Sequence, residues 1–166
     1  MSIFLHRRPI RSPIPNIMRA VIQRVNNARV EVDGEITGQI DDGLLVFLSV
    51  THEDTEADVQ FITDKIINLR IFSDENDKMN LNVQDIGGAV LLISQFTLHG
   101  DCRKGRRPGF DQAAPPDLAR RLYELAAELI GQQGVRCETG IFAAHMHVSS
   151  LNDGPVTFLL DSTRLF

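Results

Sequence analysis

Ser94 and Thr97, three apart in Ser94-Gln95-Phe96-Thr97-Leu98, are the side chains of this sequence best suited to attack a carbonyl. Either hydroxyl becomes a nucleophile once a base removes its proton. No such base stands beside them in the sequence, and the GxSxG elbow of serine esterases is absent. Each also has a structural role at hand: Ser94 ending a strand with its hydroxyl on nearby backbone, Thr97 as a β-branched strand residue. Asn152-Asp153-Gly154-Pro155 is turn chemistry, yet its glycine also lets backbone approach a ligand closely and its X–Pro bond tolerates the cis form. Arg103, Lys104, Arg106 and Arg107 gather positive charge among glycines, which suits either phosphate binding or a solvated surface loop. His145 and His147, two apart, share one side of a predicted strand, as metal ligands must. A third ligand is not apparent, and His52 and His99 fall in predicted loops, so ordinary histidines and no metal are expected.

The elements that would position these residues follow from hydrophobic periodicity. Met18–Val25 and Ala28–Val32 alternate as half-buried strands, and Asp33-Gly34 turns the chain into a returning strand over Ile36–Ile40. Leu44–Leu48 is unbroken in its apolar character, which predicts a central strand buried on both faces. Asp54 and Thr55 are natural caps for a helix whose Val59, Ile62, Ile66 and Leu69 form one stripe. Ser73–Asn82 reads as loop with at most a short strand near Met79, and Ala89–Phe96 as a second buried strand. Pro115-Pro116 starts a second helix with Leu118, Leu122, Leu125 and Leu129 on one face, stopped by Gly131 and Gly134. Strands over Val135–Thr139, His145–Leu151 and Val156–Leu160 complete the chain, with 152–155 as the turn between the last two. The expected fold is therefore mixed α/β of the α+β kind. Its antiparallel-rich sheet is curled toward a barrel, with two helices packed outside. No GxGxxG or P-loop offers a seat for a nucleotide cofactor.

With 166 residues and 43% hydrophobic content, one compact domain with a sizeable core is the default. The net charge of -5 excludes general electrostatic attraction to nucleic acid, so any RNA contact must be local. Cys102 and Cys137 lack ligand spacing and read as reduced, minor thiols. No apolar run approaches the roughly 20 residues needed to cross a bilayer, which points to a cytoplasmic protein with no membrane partner. Residues 1–17, with three prolines and three arginines, read as a disordered extension. An upstream translation start or a short organelle-targeting segment would also account for them. The folded domain is expected over 18–166.

Three motifs in order carry a resemblance: Ser94-Gln95-Phe96-Thr97-Leu98, Gly105-Arg106-Arg107-Pro108-Gly109-Phe110 and Asn152-Asp153-Gly154-Pro155-Val156-Thr157, with Gly140-x-Phe142-x-x-x-Met146 before the last. With them, and from the opening Met18-Arg19-Ala20-Val21-Ile22-Gln23-Arg24-Val25 onward, the chain resembles the D-aminoacyl-tRNA deacylases. The resemblance implies a homodimer with active sites at the subunit interface, aminoacylated tRNA as partner, and no cofactor. It implies that Ser94, Gln95, Phe96 and Thr97 line a catalytic pocket for the 3′-terminal adenosine and its ester, where backbone amides stabilise an oxyanion and the RNA 2′-OH assists water. Phe142 and Met146 would shape that pocket. Gly154 and Pro155, in a motif opened by Asn152, would present their carbonyls to the partner subunit's site, turning away L-side chains while D-amino acids and glycine pass. Covalent attack by Thr97 is the lesser alternative. Two other functions remain open: a non-catalytic module binding a tRNA 3′ end, disfavoured by aromatics at 6%, and a generic esterase using Ser94.

Overall fold

A computed structural model describes residues 17–165. The extension expected over 1–17 lies outside the described residues except for Ile17, which is buried and belongs to the core. Eight strands and two helices follow in the order β1 (Arg19–Val32), β2 (Glu35–Ile40), β3 (Gly43–Ser49), α1 (Glu56–Asn68), β4 (Phe72–Ser73), β5 (Met79–Leu81), β6 (Ala89–Ser94), α2 (Pro116–Gln132), β7 (Arg136–Thr139) and β8 (His147–Asp161). A 3₁₀ turn, Phe96–His99, follows β6.

The main sheet runs β2-β1-β3-β6-β7, and β8 lies along the other edge of β1 for almost its whole length. The β1 pairings with β2, β3 and β8 are antiparallel. The β3–β6 and β6–β7 pairings are parallel, because α1 and α2 are crossovers that return the chain in the same direction. The sheet is thus antiparallel-rich, as expected, with a parallel portion over β3, β6 and β7. It curls until β2 approaches β7: a Cβ on Gly38 would lie 2.6 Å from the Thr139 carbonyl.

Two cores result. Leu44, Val46, Leu48, Val90 and Leu92 pack outward under the helices, against Val59, Ile62 and Ile66 of α1 and Leu122, Ala126 and Ile130 of α2. Leu45, Leu91 and Ile93 point into the curl with Val25, Ala28, Val30 and Ile40. This is why β3 and β6 carry unbroken apolar runs. Strand β1 serves both cores, Ala20 and Ile22 on the helix side and Val25, Ala28 and Val30 inside. Its register against β8 slips between Val25 and Asn27, so Asn26 is an extra residue and side-chain alternation reverses there. The Asn26 amide donates to the Asp42 carboxylate at 3.0 Å. The two strands expected for this region are therefore one bulged strand.

Helix α1 starts at Thr55, whose backbone N–H and hydroxyl both donate to Asp58 at 2.8 Å. Helix α2 buries Leu122, Tyr123, Ala126 and Ile130 rather than the expected leucine row, since Leu118, Leu125 and Leu129 only flank that face. Its Tyr123 hydroxyl donates to the Leu92 carbonyl of β6 at 2.7 Å. Burial raises the Tyr123 phenol above its ordinary range and pushes the Cys137 thiol up to about 12.

Candidate active site

Strand β6 ends at Ser94, two residues before the expected boundary, and Gln95 continues its pairing by donating its N–H to the Leu48 carbonyl at 2.8 Å. The chain then tightens into the 3₁₀ turn, whose first N–H groups, from Phe96 and Thr97, have no acceptor within the turn. A cavity of about 500 Å³ opens at this point. Ser94, Gln95 and Phe96 form one wall, and Phe142 and Met146 form another. Ser49 and Val50 stand at the end of β3, while Pro116 and Ala119 bring the leading turn of α2 to the rim. A more open depression of about 580 Å³, around Asp41, Gln84 and Arg136, holds none of the motif residues.

The structure thus gathers Ser94, Gln95, Phe96, Phe142 and Met146 around one space. Thr97 stands one residue beyond the wall, its hydroxyl 2.5 Å from the Gln95 side-chain amide that donates to it. Among the described residues, no histidine, lysine or carboxylate bonds to Ser94 or Thr97, so neither hydroxyl has an activating base. His145 lies on the cavity rim with its ring edge-on to His147, centroids 5.1 Å apart. Among the described residues, no three His, Cys, Asp or Glu side chains gather to hold an ion. His145 and His147 are not strand neighbours as expected, because β8 begins only at His147.

The basic loop adjoins the cavity. Asp101 and Gly109 exchange backbone hydrogen bonds of 2.7 and 3.0 Å, closing the loop, and Phe110 packs edge-on to Phe96 with centroids 5.0 Å apart. Arg103 donates to both Asp101 oxygens at 2.8 and 2.7 Å and holds that carboxyl well below the usual carboxylate range. Lys104, Arg106 and Arg107 are exposed.

Asn152, Gly154 and Pro155 are not at the cavity. Instead of turning between two strands, they lie within β8, where Thr157 pairs with Gln23 and Asn152 with Val25. Four residues of β8, Asp153–Val156, therefore stand opposite Arg24 alone. Asn152 closes this excursion, its amide oxygen accepting from the Val156 N–H at 2.7 Å and its nitrogen donating to the Val156 carbonyl at 3.3 Å. Gly154 has φ +141, where a Cβ would meet Val156 Cγ2 at 2.6 Å, and the Gly154-Pro155 bond is cis. Arg24, only 12% exposed, braces the excursion: its Nε donates to the Asp153 carbonyl at 3.0 Å and a terminal nitrogen donates to the Ile71 carbonyl at 2.7 Å. Arg24 is in register with Leu44, and Leu44 with Val90, four residues before Ser94. Measured along the sheet, the dipeptide is about 13 Å down the strands and about 14 Å across them from the cavity of its own chain.

Comparison with known proteins matches residues 21–161 to the family described as D-Tyr-tRNA(Tyr) deacylase. The chain belongs to the D-Tyr-tRNA(Tyr) deacylase family. Within it, a D-aminoacyl-tRNA deacylase of Clostridioides difficile (strain 630) is 60% identical over 149 residues, 90% of this chain and 100% of that protein. One from Thermosipho africanus (strain TCF52B) is 57% identical over the same span and shares. The deacylase fold recurs in solved structures. A c-Myc DNA unwinding element binding protein superposes with TM-score 0.80 at 38% identity, covering 86% of this chain and 97% of that one. A probable eukaryotic D-amino acid tRNA deacylase superposes with TM-score 0.76 at 16% identity, covering 87% and 99%, a likeness of fold.

Sequence reasoning missed Arg24, Ser49 and the rim contributed by α2. A cation in an otherwise half-buried strand segment was the available signal for Arg24.

Proposed function

We propose that this chain hydrolyses the ester joining a D-amino acid to the 3′-terminal ribose of tRNA, releasing tRNA and amino acid while sparing L-aminoacyl-tRNA. The observation that carries this reading is the division of the site: a cavity walled by Ser94, Gln95 and Phe96 in which, among the described residues, neither the Ser94 nor the Thr97 hydroxyl is bonded to a base, and a braced Gly154-Pro155 excursion remote from it.

An aminoacyl ester is already activated by its ribose leaving group, and the vicinal 2′-OH helps direct water, so the protein's work is placement and charge stabilisation. The terminal adenosine and ester enter between Phe96 and the Phe142–Met146 segment. The Phe96 and Thr97 N–H groups meet the oxyanion as water adds to the carbonyl, and collapse returns the ribose hydroxyl.

Chirality is read by a second copy of the chain. Among the described residues β8 has no strand partner on its outer edge, and it exposes Leu151, Phe158 and Leu159, a surface that a second copy would cover. Its Gly154 and Pro155 carbonyls then face the α-carbon of the bound ester. An L-side chain is driven into them, a D-side chain points away, and glycine has nothing to exclude. Lys104, Arg106 and Arg107, beside the cavity, take the phosphates of the acceptor end.

The test is incubation with D-, L- and glycyl-tRNA. Release from the D- and glycyl-charged species with L-charged tRNA intact is expected. Binding without release would make the chain a recognition module, and equal hydrolysis of L-charged tRNA would remove the chirality reading.

A further inference from the structure

Among the described residues His99 is the one buried histidine, 3% exposed at the end of the 3₁₀ turn that carries Phe96 and Thr97. One ring nitrogen, Nε2, lies 2.7 Å from the Ile17 carbonyl, and the other, Nδ1, lies 2.5 Å from the Ser49 hydroxyl oxygen. A carbonyl only accepts, so Nε2 carries the hydrogen and Nδ1 is bare. The Ser49 hydroxyl must then donate to Nδ1. Burial lowers the imidazole's affinity for a second proton and the nearby Arg19 guanidinium acts the same way, which keeps this tautomer neutral. Ser49, 2% exposed, also contributes to the cavity wall. With its proton committed to His99, the group it offers the cavity is an oxygen lone pair. The side chains of Val50, Ile93 and Ala114 supply only hydrocarbon to the same space and Met146 a thioether, so this acceptor joins Ser94, Gln95 and His145 as one of its few polar groups.

We propose that His99 is a positioning residue for the hydrolysis: through Nδ1 it sets the Ser49 oxygen as an acceptor for an N–H or O–H group of the bound aminoacyl-ribose, and through Nε2 it fixes the Phe96–His99 turn against Ile17. This rests on the deacylase reading above. It also makes Ile17, a residue ahead of Met18, part of the support of the site.

The test uses the full chain and one D-aminoacyl-tRNA. Ser49→Ala and His99→Gln are each expected to lower kcat about tenfold, the rate equivalent of one lost hydrogen bond, with KM changed less than about twofold. The double variant should fall no further than the worse single one, because the two residues act as one unit. Wild-type kcat in either folded variant overturns the proposal, and where His99→Gln does not fold, Ser49→Ala decides. Nitrogen-15 NMR of the full chain gives a second readout. An Nε2–H tautomer is expected whose Nδ1 signal moves when a non-hydrolysable 3′-aminoacyl-adenosine analogue binds, and moves less in Ser49→Ala. An Nδ1–H tautomer, or a signal indifferent to the analogue, overturns it. Failure of the unsubstituted chain to release any amino acid counts against the deacylase reading instead.

Discussion

Arg24 donates its Nε hydrogen to the Asp153 carbonyl at 3.0 Å and lies 3.1 Å from the Asp153 carboxylate, so a strand cation grips the residue that precedes Gly154. Its other end holds the Ile71 carbonyl at 2.7 Å, which leaves the guanidinium little freedom. Arg24→Ala removes both grips and leaves the excursion to relax. Expected are a stability loss of about 2 kcal/mol in urea denaturation and a fall of at least about tenfold in kcat/KM for D-aminoacyl-tRNA. Arg24→Lys, which cannot reach both carbonyls with a fixed fork, should recover only part of either. Unchanged kinetics in Arg24→Ala would show that the excursion holds its shape alone.

The basic loop divides by pairing. Arg106→Ala and Arg107→Ala are each expected to reduce the slope of log affinity for tRNA against log salt by about one, the mark of one lost phosphate contact. Arg103→Ala should change that slope less, because its guanidinium is already spent on Asp101. Equal slopes in all three variants and the wild type would take the phosphate role from this loop.

Burial pushes the Asp54 carboxyl up to about 6, against the hydrogen bonds it accepts from Thr51 and with the charge of Asp58 adding to the rise. Thr51 donates its N–H to Asp54 at 2.6 Å and bridges to Ala113 on the cavity wall. A folded value above the unfolded one means that the native state holds this proton more tightly. The stability it contributes is complete below pH 3.8 and is lost as pH rises through 6, about 3 kcal/mol in all. Asp54→Asn should therefore flatten the decline between pH 4 and 7 in urea denaturation, and a decline identical to wild type would contradict this.

Tyr123→Phe leaves the buried Leu92 carbonyl without the 2.7 Å bond from α2. A loss of about 1–2 kcal/mol is expected by denaturation. A neutral result would mean that water or a neighbour replaces the phenol.

Much of this was legible in the sequence, for reasons particular to each segment. Thr55, one of the two cap residues read from the sequence with Asp54, announces α1, and Leu44–Leu48 announces a strand buried on two sides because both cores need it. The parallel pairing of β6 with β3 and β7 was not legible, since periodicity reports burial and not direction. Asn26-Asn27 and Asn152–Pro155 look like breaks, and each is an irregularity inside a continuous strand. In both places long-range pairing with a neighbour overrides local turn chemistry. The cavity segment was legible as a motif, whereas Ser49 and Arg24 owe their roles to residues 50 and 129 positions away.

On the proposed reading, one copy supplies the cavity and another supplies Gly154 and Pro155. Two variants test it: Gly154→Val, whose side chain the φ of +141 and the neighbouring Val156 refuse, and a Gln95→Ala/Phe96→Ala chain that lacks the cavity wall. Each alone should be inactive on D-aminoacyl-tRNA. Co-folded at equal ratio, they should regain about a quarter of wild-type turnover, since half the pairs are mixed and each mixed pair holds one whole site. No recovery from mixed pairs that are demonstrably formed would place the whole site within a single chain and contradict the account.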